Sequence, residues 1–284
     1  MNSDRHTLQQ QNEGSLDTGP LGLVSEQPTT YTPSLLHAIP RADSRAALNL
    51  NVDDVYGEDL WTGYEFSWLS TEGKPQVAGV RLRVPSQSAA IVESKSLKLY
   101  LNSYAMTRFE TQAAVLSTLD QDLALAFRAP VLVELVPVNL LDAPINQLPG
   151  QCLDHLDVRI KDYQRDPLLL EVEDIDRVVR EVVYTDLFRS LCPVTGQPDF
   201  ASIAIDYAGP AISRESLLRY LVSFRNHQAF HESTIEQIYC DLRRRCQPQS
   251  LTVYGRFLRR GGLDINPYRS SSADPAPMLR LSRQ

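Results

Sequence analysis

No apolar run in the sequence approaches the roughly 18 residues that a membrane-crossing helix requires. The stretch from Met1 to Gly14 is polar where a secretory signal would be apolar, so a cytoplasmic protein is expected. Cysteine is scarce. Cys152, Cys192, Cys240 and Cys246 show no Cys-x-x-Cys spacing and no paired Cys/His set, which argues against a disulfide framework and against a metal site. No Gly-x-Gly-x-x-Gly follows a strand and there is no Walker-type glycine-lysine loop, so any dinucleotide must bind without the Rossmann device. Surplus positive charge is missing as well. The net charge of -7 argues against a general nucleic-acid binder, while leaving room for a local basic pocket that takes a phosphorylated small molecule.

What is present is an ordinary globular composition, 43% hydrophobic and 22% charged over 284 residues, enough for one large domain or two modest ones. Residues 1–45 are rich in Gln, Ser, Thr and Pro and read as a polar tail that packs, if at all, through Leu35, Leu36 and Ile39, away from the active centre. From Leu60 to Leu69 the letters alternate, with Tyr64, Phe66 and Trp68 on one face. A turn at Gly73-Lys74-Pro75 leads to a second strand over Val77 to Val84, which predicts a hairpin. Leu97, Tyr100, Leu101 and Tyr104 fall at helical spacing, as do Val115, Leu116, Leu119 and Leu123. Pro130 ends that helix, and strand returns over Val131 to Val138.

The order then repeats. Val178 to Leu187 and Phe200 to Tyr207 read as strands. Leu217, Leu218, Leu221 and Val222 mark one helix, and Ile235, Ile238, Tyr239, Leu242 and Cys246 another, before Pro248 and a strand over Leu251 to Leu258. Hairpin, two helices, then strand, occurring twice, predicts an α+β fold of two similar units with helices on one sheet face. The units are expected over 46–163 and 164–284. Their remaining sheet faces would be covered by joining the units to each other and to a second chain in a closed barrel, which predicts a homodimer or a larger assembly.

Chemistry-bearing residues gather in four places. In Ser190-Leu-Cys-Pro-Val-Thr-Gly-Gln-Pro-Asp199, Pro193 and Pro198 stiffen one irregular segment and Gly196 allows a turn. A thiol at Cys192 and a carboxyl at Asp199 could therefore share nucleophilic and proton-transfer work; equally, Cys192 is a small apolar residue at a strand end. Over Val92 to Tyr104, Ser94 or Ser96 suits a helix N-cap, and the first-turn amides with Lys95 would attract an anion. Glu93 fits either the paired N–H edge of a guanine-like ring or the helix dipole. His231 and Glu232 open a helical stripe, as ordinary helix-start residues or as a polar pair against a heterocycle. The turn at Arg259-Arg260-Gly261-Gly262 suits phosphates, whereas Arg243 to Arg245 read as a solvated helix face.

Taken in order, these stretches resemble the NADPH-dependent 7-cyano-7-deazaguanine reductases, the nitrile reductases of queuosine biosynthesis. The likeness rests on Glu93-Ser-Lys-Ser-Leu-Lys-Leu-Tyr-Leu-Asn102 with Phe109, the Cys192 to Asp199 loop, Leu218 to His227, Phe230-His-Glu232, and Arg259 to Pro267. The signature precedes the cysteine and sits in the other half, as in the long form of the family. The resemblance implies two tandem tunnelling-fold (T-fold) modules per chain, each an antiparallel sheet with two helices on one face, and a homodimer closing a barrel. It implies that Cys192 forms a covalent thioimide with the nitrile and that Asp199 supplies protons, assisted by His231. Two NADPH molecules per turnover would deliver hydrides. By the same likeness the deazaguanine lies against Val92, Glu93, Ser94, His231 and Glu232, and NADPH against Ser94, Lys95, Arg260 and Gly261, with no metal, no direct nucleic-acid contact and no membrane.

Two other readings come from different classes. A zinc-dependent pterin or GTP cyclohydrolase of the same fold group would gather several Cys/His ligands, whereas one candidate thiol is present. A noncatalytic purine-binding protein would keep the pocket without the pairing of Cys192 and Asp199.

Overall fold

Each alternating stretch folds into a long antiparallel hairpin in a computed structural model, which describes residues 27–51, 55–141 and 144–284. Residues 1–26 of the expected tail lie outside the described residues. The rest of that stretch is built into the fold. After a short 3-10 turn at Pro33–Leu35, β1 (Ala38–Pro40) and α1 (Ala42–Ala46) follow, and Leu35 and Leu36 pack against the first core.

In the first half, β2 (Tyr56–Leu69) pairs antiparallel with β3 (Pro75–Pro85), and β4 (Ala90–Val92) pairs with β1, placing Val92 opposite Ala38. α2 (Ser94–Asn102) and α3 (Gln112–Phe127) then lead to the edge strand β5 (Leu132–Val136). Thr111 caps α3, its hydroxyl accepting from Ala114 N at 3.1 Å, and Arg128 closes the helix in the left-handed conformation. β6 (Gln151–Cys152) runs parallel to β7 (Val172–Leu191) of the second half, which pairs with β8 (Pro198–Ile212). Then come α4 (Arg214–Ser223), α5 (His231–Cys246) and β9 (Ser250–Phe257). Both strands of the second hairpin extend beyond the residues at which alternation is legible.

β10 (Leu263–Ser270) does not appear in the sequence pattern, where these residues read as a motif after a turn. It joins the halves into one eight-stranded sheet of order β5-β3-β2-β10-β9-β8-β7-β6. Eight residues of β10 register with β2, from Leu263 opposite Gly63 to Ser270 opposite Tyr56, and three with β9. The β9 register starts only after Pro267, which has no N–H to donate. Ahead of it, Asn266 Oδ1 accepts from Phe257 N at 3.2 Å, so a side chain bridges the interrupted ladder.

Two cores lie under the helix pairs. One gathers Trp61, Phe66, Leu97, Tyr100, Leu119 and Phe127; the other gathers Phe188, Ile203, Leu217, Tyr220, Ile235 and Leu242. Each such buried side chain contributes about 2 kcal/mol relative to exposure. On the opposite face of the central strands, Leu60, Tyr254 and Tyr268 are covered by Ala276 and Leu279 of the same chain.

The halves share a hydrogen-bond scheme that residue letters only hint at. Tyr100 and Tyr220 hold the same position in α2 and α4, and each donates to an aspartate on the following helix, Asp122 and Asp241, at 2.6 Å. Ser103 and Ser223 each donate to the carbonyl of that tyrosine at 2.6 Å. Ser96 and Ser216 each accept from a backbone N–H of the incoming segment, His37 and Glu171, at 3.1 Å.

Candidate active site

The hairpin between β7 and β8 presents the thiol. Leu191 ends β7; Cys192 N donates to Gln197 O at 2.9 Å and Gly196 N to Cys192 O at 3.0 Å, closing a turn in which Gly196 takes a φ of +66°. Asp199 is not part of the irregular segment. It is the second residue of β8, opposite Ser190, so strand pairing fixes its backbone.

Cys192, 5% exposed, lines a cavity of about 30 Å³ with Val92 and Ser94 from the first half and Asp199, His231, Glu232 and Arg260 from the second. That space holds about one water molecule, so a bicyclic ring enters only if a wall moves. Arg260 forms one such wall. Its Nη1 donates to Asp199 Oδ1 at 2.6 Å and its Nη2 donates to Gln197 Oε1. Burial alone would favour a neutral Asp199, but neighbouring His231 and the Arg260 guanidinium outweigh it and hold the carboxyl below its ordinary range. Asp199 is therefore held as the carboxylate here. His231 Nε2 stands 3.4 Å from Asp199 Oδ1, and its ring tilts against Phe257 with centroids 4.0 Å apart. Glu232, in the first turn of α5, is pushed up to about 6 by burial and then by Asp59, against the pull of Arg41.

Glu93 corrects the expected cap of α2. Neither Ser94 nor Ser96 is the cap; Glu93 is, with Oε1 accepting from Lys95 N at 2.6 Å and Oε2 from Ser96 N at 2.7 Å. The amides expected to attract an anion are thus taken by a carboxylate. Glu93 is buried, its pKa is raised because burial outweighs these bonds, and it does not line the small cavity.

Lys95 and Gly261 also lie outside that cavity's lining. Gly261 borders a larger one of about 300 Å³, with Tyr64, Glu65, Lys98, Asn102 and Gly262. Gly261 has a φ of +60°, and a Cβ there would meet Lys98 Nζ at 2.9 Å. Ser94 and Lys98 are one helical turn apart, so a single face of α2 borders both cavities. Sequence reasoning missed Gln197, although it lies within the quoted loop. It also missed the buried charges Arg41, Asp59, Glu236 and Arg269, whose polar letters carry no pattern.

Among the described residues no group of three or more His, Cys, Asp or Glu side chains is placed to hold a metal ion. No described helix is long and apolar enough to cross a membrane.

Comparison with known proteins finds two family models along the chain. One, described as the N-terminal part of the nitrile reductase 7-cyano-7-deazaguanine reductase, matches residues 27–135, and one described as QueF-like protein matches residues 198–276. An NADPH-dependent 7-cyano-7-deazaguanine reductase of Chromohalobacter salexigens is 47% identical over 275 residues, 95% of this chain and 98% of the relative. A protein of the same name from Hydrogenovibrio crunogenus is 45% identical over 270 residues, 94% of this chain and 97% of the relative. A solved archaeosine synthase QueF-Like in the apo form gives a TM-score of 0.30 at 18% identity, covering 35% of this chain and 96% of that chain, too slight a likeness to bear on the fold.

Proposed function

Since the chain belongs to the family of NADPH-dependent 7-cyano-7-deazaguanine reductases, which are oxidoreductases, we propose that it reduces the nitrile of 7-cyano-7-deazaguanine to the primary amine in tRNA queuosine biosynthesis. The observation that carries this reading is Cys192 in a cavity that Val92 and Ser94 of the other half also line.

In the proposed reaction the Cys192 sulfur bonds to the nitrile carbon as one C–N π bond opens. The thiol proton passes to ionised Asp199, which shares the cavity, and on to the nitrile nitrogen, leaving a thioimide. Covalency fixes the carbon in place and makes it a better electrophile. Ser94, Lys95, Arg260 and Gly261 would hold NADPH twice per turnover, and it would supply a hydride each time. After the first reduction, with a proton taken up on nitrogen, the carbon–sulfur bond would break to leave a protonated imine and the thiolate; the second hydride would reduce that imine to the amine as the thiolate regains its proton. His231, fixed by Phe257 beside Asp199, assists the proton transfers.

Val92, Glu93, Ser94, His231 and Glu232 would hold the ring, Glu93 from the head of α2. Ser94, Lys95, Arg260 and Gly261 would hold NADPH, for which the face of α2 between the two cavities and the glycine-backed turn are suitable. Arg260 cannot grip a phosphate and Asp199 equally well. Its departure from Asp199 would both widen the cavity and make that carboxylate a stronger base.

The repeated tyrosine–aspartate and serine bonds support two T-fold modules over 46–163 and 164–284. The open sheet edge at β5, where Leu132 is 65% exposed, supports a homodimer that extends the sheet toward a barrel.

The deciding experiment is intact-mass spectrometry after mixing with 7-cyano-7-deazaguanine and no reductant. The expected gain is one whole nitrile molecule, absent in Cys192→Ala, which should still bind the ligand but no longer oxidise NADPH. Retained turnover in that variant would refute the covalent route.

A further inference from the structure

β9 and β10 do not pair along their whole length. Their register runs from Thr252 opposite Ser270 to Tyr254 opposite Tyr268, and they meet again at the bridge between Arg260 and Leu263. Between those points the strands part, with residues 255–259 on one side and 264–267 on the other. Gln284 fills the gap. After β10 the chain returns across the sheet, covers Tyr254 and Tyr268 with Ala276 and Leu279, and brings the Gln284 side chain between the parted strands. Its Nε2 donates to Phe257 O of β9 at 2.9 Å and to Asn266 Oδ1 of β10 at 2.7 Å. Its Oε1 accepts from Arg256 Nε at 3.0 Å and from Nη2 at 2.7 Å. Gln284 is 4% exposed, and Arg256, Phe257 and Asn266 less, so these bonds are made out of water, where an unmade one costs most.

The parted strands are the stem of the turn 259–262. Arg259 and Gly261 are exposed there, and Gly261 and Gly262 take φ of +60° and +82°. Two contacts tie the turn to the sheet: Tyr64 N donates to Gly262 O at 3.0 Å, and the Arg259 guanidinium lies 4.6 Å from the centre of the Tyr64 ring. Gln284 adds a third, its O accepting from Arg259 Nη2 at 3.3 Å. The side-chain bonds of Arg260, to Asp199 and Gln197, are ones that it gives up in taking a phosphate, so the turn then depends on its stem. Phe257, by contrast, is fully buried in the second core and keeps its place beside His231. Loss of the Gln284 amide is therefore felt at the turn rather than at His231 and Asp199.

We propose that Gln284 is a positioning residue for the cofactor: its side-chain amide joins β9 to β10 where their ladder is open and so holds the turn at which Arg260 and Gly261 meet NADPH. This rests on the reading that gives the turn to NADPH. It also gives the segment after β10 a part in the reaction.

Gln284→Met in the full-length protein keeps the volume and removes the bonds. Its KM for NADPH should rise about tenfold, the effect of one or two neutral hydrogen bonds. Its affinity for 7-cyano-7-deazaguanine, measured calorimetrically without NADPH, should match the parent's. A folded Gln284→Met with the parent's KM makes the side chain a filler and overturns the proposal. Equal losses of both ligands, the mark of a loosened site, overturn it too. If Gln284→Met does not fold, Gln284→Glu decides, because it keeps the acceptor for Arg256 and removes the donor to Phe257 and Asn266: a raised KM supports the role, and the parent's KM refutes it. Arg260→Ala separates the two readings. Undiminished NADPH binding there takes the turn from the cofactor and this inference with it, whereas weakened binding beside an unaltered Gln284→Met removes only Gln284.

Discussion

Arg260 Nη1 lies 2.6 Å from Asp199 Oδ1, so the residue proposed to hold NADPH and the residue proposed to move protons are joined to each other. Arg260→Ala should therefore weaken NADPH binding and raise the ionisation point of Asp199. Because the folded carboxyl is held low, its stabilising contribution is present above the ordinary aspartate value and is lost as pH falls through the folded one. At neutral pH the variant should be less stable by about 1 kcal/mol, a figure reduced for the partial exposure of Arg260. Urea unfolding at neutral pH and at about pH 3 should show that gap closing in acid.

Glu93 makes a separable prediction, because its carboxylate closes the start of α2. Glu93→Ala should cost about 1 kcal/mol, while Glu93→Gln keeps one acceptor and loses less. Hydrogen exchange at the Lys95 and Ser96 amides is the direct measurement, and it should accelerate more in the alanine variant.

The buried cluster should be intolerant of single deletions. Arg269→Met leaves Asp59 and Glu236 short of their fully buried partner and should destabilise by about 3 to 5 kcal/mol in urea. Because the site is shielded from solvent, added salt should not restore the loss.

Two glycines with left-handed φ separate backbone strain from steric conflict. At Gly57, φ is +144° and a Cβ would sit 2.0 Å from Tyr268 O, within the β2–β10 ladder. At Gly196, φ is +66° with nothing within 4 Å. Gly196→Ala should cost about 1 kcal/mol, from backbone conformation alone. Gly57→Ala should cost clearly more and lower the melting temperature correspondingly.

Strands and helices whose apolar letters keep one period were legible: β2, β3, β5, β8 and β9, the middle of β7, and the four long helices. β10 was not, because every residue from Leu263 to Ser270 is buried, including Asp264, Asn266 and Arg269, and a strand buried on both faces has no alternation to read. Pro267 further argued against a central strand. At the site, the loop carrying Cys192 and the helix start at His231 were visible as motifs. Arg41, Arg45 and Asp59 were not, since a charged letter becomes informative only when fold contacts show that water is excluded from it. Glu93 was visible, yet its engagement with Lys95 and Ser96 depends on backbone angles that the letters leave open.

The position of β10 bears on how a ribosome makes this protein. Its partner β2 is completed some two hundred residues earlier, as the 200-residue separation of the bonded Tyr64 and Asp264 illustrates. Both hairpins therefore emerge before the strand that lies between them. Until it does, β2 and β9 each present an unpaired margin of N–H and C=O groups. A nascent chain must keep these two margins from pairing with neighbouring polypeptides, and synthesis that stalls shortly before Leu263 would leave both halves folded in outline but unjoined.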